Sequence, residues 1–114
     1  MSPQDPAVTD PDHYKVIFEN DRVRVLEYRD QPGDKTHAHQ HPDSVMVTLS
    51  AFKRRISSGG KQADVELAEH QVRWLGAQEH TGENTGDTPT HSIFVELKEP
   101  GQSTGESVLG PSAG

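Results

Sequence analysis

Six of the seven histidines fall between Thr36 and His91, and three of them, His37, His39 and His41, stand at alternate positions. On a β-strand, residues two apart project from one face, so two such imidazoles can converge on a single ion. A metal site needs a third ligand from elsewhere in the chain. His80 is the natural candidate, because it follows a strand candidate and a short turn. Neutral imidazole serves zinc, iron, nickel, copper and manganese, so ligand type alone does not name the metal.

The elements that must position these rings alternate with a period of two. In the segment from Asp21 to Tyr28, Val23 and Val25 oppose Arg22 and Arg24. Between Ser44 and Ser50, Val45, Val47 and Leu49 oppose Met46 and Thr48. From Thr90 to Leu97, His91, Ile93, Val95 and Leu97 share a face. Shorter strand candidates run over 15–19, 52–57, 63–67 and 72–75, and turn signals separate them, among them Ser58-Gly-Gly60 and Thr85-Gly-Asp-Thr-Pro89. Many short strands with close turns indicate an all-β sandwich or barrel.

The 114 residues allow one domain. Apolar residues make up only 30%, because polar tails dilute the core. Residues 1–12 and 99–114 lack any apolar period and read as disordered or loosely draped tails around a folding unit at 13–98. A net charge of -7 argues against nucleic acid as a partner. The chain has no cysteine, which excludes disulfides, thiolate metal sites and a cysteine nucleophile. No apolar run reaches membrane-spanning length, and no basic-then-hydrophobic leader opens the chain, so a cytoplasmic protein without membrane contact is expected.

The stretch Gly33-Asp-Lys-Thr-His-Ala-His39-Gln-His41-Pro resembles the first signature of the cupin superfamily: a glycine, five residues, then His-x-His. Further on, Trp74-Leu-Gly-Ala-Gln-Glu-His80-Thr-Gly-Glu-Asn84 resembles the second, which ends in histidine, three residues, then asparagine. The resemblance covers roughly residues 14–98. It implies a double-stranded β-helix, or jelly-roll barrel, with one divalent metal (iron, manganese, nickel or zinc) held inside by His39, His41 and His80. The count of five from Gly33 selects His39 and His41 over His37. The signature's glutamate ligand has no counterpart, since Val45 and Met46 occupy its slots, although Asp43 or water could fill the place. Proline and two glycines of the second signature are also replaced, which bears on loop shape rather than ligation. Small cupins of this kind are similar to proteins associated with beta-alanine breakdown.

A site of neutral ligands with open positions suits a mononuclear, oxygenase-like metalloenzyme acting on a small polar metabolite. A non-catalytic ligand-binding cupin and a metal-dependent isomerase or lyase are the alternatives. Glu83 is the candidate general base or hydrogen-bond acceptor for a ligand ring. Met46, Thr48 and an inward His91 are the pocket candidates. Asn84 is expected to fix its loop, Trp74 to join the core, and Lys53, Arg54 and Arg55 to form a solvated strand end. A homodimer is expected along the exposed strand at 15–19.

Overall fold

The computed structural model describes residues 5–98. The expected tail at 99–114 lies outside them. One short helix, α1 (Pro6–Thr9), precedes nine strands: β1 (Tyr14–Glu19), β2 (Val23–Asp30), β3 (His39–His41), β4 (Ser44–Thr48), β5 (Phe52–Ser58), β6 (Lys61–Leu67), β7 (Val72–Leu75), β8 (Gln78–Asn84) and β9 (Thr90–Leu97). They form two antiparallel sheets, ordered β1-β2-β9-β4-β7 and β3-β8-β5-β6. None of the described helices is long and apolar enough to cross a membrane. The β5–β6 hairpin turns on Gly59 and Gly60, at φ 56° and 81°, which a two-residue turn of the primed type requires.

The all-β double-sheet expectation holds, and the face assignments need correction. Inside β9 stand Thr90, Ser92, Phe94 and Glu96, while His91, Ile93 and Val95 are half-buried on the outer face. His91 therefore does not line a pocket; its Nε2 lies 2.8 Å from Glu27 Oε2 on the neighbouring strand. β2 likewise turns its Arg24, Leu26, Tyr28 and Asp30 inward. Trp74 is not core. It lies on the edge strand β7 and is 58% exposed. Edge strand β1 exposes Val16, Ile17 and Phe18.

Arg54 is the largest departure from expectation. Rather than ending a solvated strand, it enters the barrel between Phe52 and Ile56, which share its face, and only 8% of it is exposed. It pairs with Asp30, whose carboxylate also accepts from the Tyr28 hydroxyl, Asn84 Nδ2 (2.9 Å) and the Thr90 backbone N–H (3.2 Å). Gly82 makes room for the guanidinium: a Cβ there would lie 2.7 Å from Arg54 Nη2. Asn84 also donates to Thr88 O and accepts from Gly86 N–H, fixing the following loop as expected.

Residues 5–12 are more ordered than the tail expectation allowed. Asp5 caps α1 by accepting from Ala7 N–H at 2.8 Å and pairs with Arg24 at 2.8 Å, and Pro6 and Asp10 are buried. The composition that suggested a draped tail is here the material of an N-cap and a charge partner.

Removing Asp30 leaves a buried guanidinium without its counter-ion, so Asp30→Ala should cost about 3–5 kcal/mol in urea unfolding. Trp74→Ser, on the exposed edge, should stay within about 0.5 kcal/mol. Equal effects from the two variants would contradict this account of the interior.

Candidate metal centre

β8 is the element that brings the third histidine into place. Sequence reading set His80 just beyond a turn, whereas it lies within a strand paired antiparallel to β3, with His39 directly opposite His80. Period-two geometry points His39 and His41 the same way, and the cross-strand register adds His80. Ring centroids are 4.7 Å apart for His39 and His41, and 5.0 Å for each of them to His80. One nitrogen from each ring lies within 4.8 Å of the others, close enough to share an ion. His37 is not part of the cluster; its ring nitrogen reaches Asp10 at 3.0 Å.

The remaining ring nitrogens are accounted for. His39 Nδ1–H donates to the His37 carbonyl at 2.9 Å, His80 Nδ1–H to Gln78 Oε1 at 2.7 Å, and His41 Nδ1–H to Glu96 Oε2 at 3.3 Å. Each acceptor fixes the tautomer, leaving the Nε2 lone pair pointing inward. His39 and His41 are 1% and 3% exposed, and their Nε2 atoms are buried without any hydrogen-bond partner. A buried, unsatisfied acceptor is costly, and two aimed into one space fit a divalent ion.

A surrounding layer holds the rings. Phe94 stacks on His41 at 5.4 Å, and Tyr14 meets His39 edge-on at 5.5 Å. Behind His41, Glu96 is gripped by Arg24 at 2.7 Å, and behind His39, Asp10 Oδ2 lies 3.6 Å from Nδ1. Such carboxylates orient ligand histidines and raise their basicity. Sequence reading missed both. Glu96 alternates with apolar neighbours and so passes for solvent-facing, and nothing local connects Asp10 to a site three turns of chain away.

The glutamate slot is filled by Met46, which is inward and lines the cavity. Asp43 is not a ligand; its Oδ1 accepts from Ala77 N–H at 2.8 Å and it stands outside the cluster. Glu83, three residues past His80, falls on the opposite face of β8, across from Arg55 and 4.0 Å from Lys35 Nζ. It therefore cannot serve as a base in the barrel. Thr48 is inward, yet its hydroxyl donates to Ala68 O at 2.6 Å and it does not border the cavity.

A cavity of about 110 Å³ adjoins the histidines. Its wall is mostly apolar: Met46, Phe52, Ile56, Leu67, Leu75 and Phe94. Burial raises the hydroxyls of Tyr14 and Tyr28 far above their ordinary value, so both stay neutral. Burial together with the neighbouring rings lowers His39 to about 4 and His80 to about 3.

No protein-family model matches this chain, and no curated protein does. Solved structures do. A cupin domain from Bordetella pertussis Tohama I is 26% identical with a TM-score of 0.71, covering 75% of this chain and 92% of that one. A Klebsiella pneumoniae protein with a double-stranded β-helix domain is 20% identical with a TM-score of 0.60, covering 74% of each. A cupin superfamily protein from Desulfitobacterium hafniense DCB-2 is 15% identical at a TM-score of 0.57, covering 75% of this chain and 76% of that one. The chain has the cupin fold, and its three histidines are placed to bind a metal.

Two predictions follow from the ring environments. An unfolded histidine takes up its proton near pH 6.5, while folded His39 and His80 resist until about 4 and 3. The unfolded state thus binds more protons between those limits, and the metal-free protein should lose stability as pH falls from 6.5 toward 4. Thermal unfolding across that range tests this, and a flat profile would contradict it. Separately, Glu96→Gln should weaken zinc binding about 10- to 100-fold in chelator competition. Unchanged affinity would show that Glu96 does not support His41.

Proposed function

We propose that this protein is a mononuclear metal-dependent enzyme of oxygenase type, acting on a small molecule that has a polar head and a mainly apolar body. The observation that carries the reading is the pair of orphaned Nε2 atoms on His39 and His41, converging with His80 beside a mainly apolar cavity. When bound, an iron ion would supply the one-electron chemistry with dioxygen that no side chain here can provide. The residues do the rest. The three neutral rings leave the ion's charge undiminished, so an anionic head is drawn toward them. The apolar wall excludes water and accepts the body of the ligand.

The apolar wall amends the expectation of a small polar metabolite. It also weighs against isomerase or lyase chemistry, which needs a base at the substrate. Among the described residues, the buried carboxylates Asp30 and Glu96 are already engaged by Arg54 and Arg24, and Asp10 accepts from the His37 backbone N–H behind the ligand ring. That same lack of a free base supports the second reading, a cupin that binds its ligand at the metal without converting it.

Protein purified without a histidine tag should carry one metal ion per chain, and His80→Ala should lose it while still unfolding cooperatively. Metal content unchanged in the variant would refute the site. Iron-loaded protein should consume oxygen with some member of a panel of short-chain oxo and hydroxy acids; a flat response with measurable binding would leave the second reading standing.

A further inference from the structure

Among the described residues, four buried side-chain atoms have no hydrogen-bond partner: His39 Nε2, His41 Nε2, Ser44 Oγ and Ser92 Oγ. Two of these residues, His39 and Ser92, form part of the cavity wall; Ser44 does not. The unpaired histidine nitrogens belong to the metal reading. Ser92 does not, and its hydroxyl, on a residue 1% exposed, is left without an explanation inside the protein.

The Tyr14 hydroxyl also lacks a partner among the described residues, but its ring lies against His39 at the imidazole end. The remaining polar groups of the wall are engaged. Thr90 Oγ1 accepts from Arg54 Nη1 at 3.3 Å, and Thr36 Oγ1 accepts from Gly82 N–H at 2.9 Å. The Gln78 amide bonds His80 and the Gly76 carbonyl. The Arg54 charge is met by Asp30. A buried hydroxyl in an apolar cavity costs free energy when unpaired, and it can both donate and accept once a partner arrives.

Position along β9 separates this point from the imidazoles. Phe94 stacks on His41, and Ser92 stands two residues further on the same face, about 7 Å along the strand. Along the strand, the apolar ring of Phe94 separates the two polar points. We propose that the cavity takes a small molecule with two polar ends: an anionic head at the three imidazoles and, across a short apolar span, one uncharged hydroxyl or carbonyl that hydrogen-bonds Ser92 Oγ. The far group is uncharged because Arg54 is already neutralised by Asp30, so nothing there would repay the desolvation of a charge. This inference rests on the metal reading, since the head needs the ion.

The test compares carboxylic acids of equal length by calorimetric titration into zinc-loaded protein. Pentanoate and 4-hydroxybutanoate differ only in a terminal methyl or hydroxyl, and 4-aminobutanoate ends in a charge. The hydroxy acid should bind about five- to tenfold more tightly than pentanoate, as one buried hydrogen bond allows, and 4-aminobutanoate should bind most weakly. Ser92→Ala should abolish the preference for the hydroxyl while leaving pentanoate binding and thermal stability at least as strong, because no protein partner is lost. A merely structural role for Ser92 would shift all three acids together. The proposal is overturned if the hydroxyl preference is absent, if it survives in Ser92→Ala, if 4-aminobutanoate binds best, or if zinc is retained and no acid binds. Failure to retain zinc would instead bring down the metal reading, and metal analysis of the same sample distinguishes that case.

Discussion

The interior of this barrel carries more polar side chains than apolar ones, and each charge within it has to meet an opposite one. The Asp30–Arg54 pair is where that requirement is most demanding. Asp30 gathers Tyr28 from its own strand, Arg54 from β5, Asn84 from β8 and the Thr90 amide from β9, so one carboxylate ties both sheets together. An ion pair of this kind is a modest stabiliser and a costly one to break. Its effect on the fold is positional. It fixes where β5 and β8 sit against β2 and β9, and β8 carries His80.

A second polar cluster closes the other end of β2 and β9. Arg24 and Glu96 face each other across those strands, Asp5 joins from the N-terminal segment, and Glu96 reaches His41. The cavity borders Arg54 of the first cluster, and Tyr14, Leu26, Tyr28, Met46, Phe52 and Phe94 form the buried apolar body of the domain. The arrangement explains why so few hydrophobic residues suffice here. The ends are held by charge and hydrogen bonds, and the middle is kept apolar and partly hollow.

Much of this was legible in the residues, in a particular way. Strand positions followed from period-two alternation, and β7 and β9 were placed to the residue. The His39 and His41 pair followed from spacing and from resemblance to the cupin signature. Alternation, however, states which residues share a face and not which face is inside. In β9 the more apolar face, with Ile93 and Val95, is the outer one, so His91 was assigned inward with it. Arg54 was obscured by its charged neighbours Lys53 and Arg55, although its parity with Phe52 and Ile56 carried the correct signal. β8 was hidden because its inward residues are a glutamine, a histidine, a glycine and an asparagine. No hydrophobic rhythm marks such a strand, and only pairing with β3 and β5 reveals it. Asp10 and Glu96 were beyond reach, since their roles exist only after folding brings distant segments together.

The neutral ligand set and the apolar cavity make sense together. His39 and His80 resist protonation because they are buried among other positive or potentially positive groups, so at neutral pH they act as lone-pair donors. Arg54 and Arg24 are each matched by a carboxylate, which weakens their fields inside the barrel. An ion held by the three rings would then be a concentrated, largely uncompensated positive charge facing a medium of low polarity, where Coulombic attraction is strong. That asymmetry is enough to orient a ligand. Under the proposed reading, an anionic end would have one favourable destination, and the apolar remainder would extend along β9 toward Ser92.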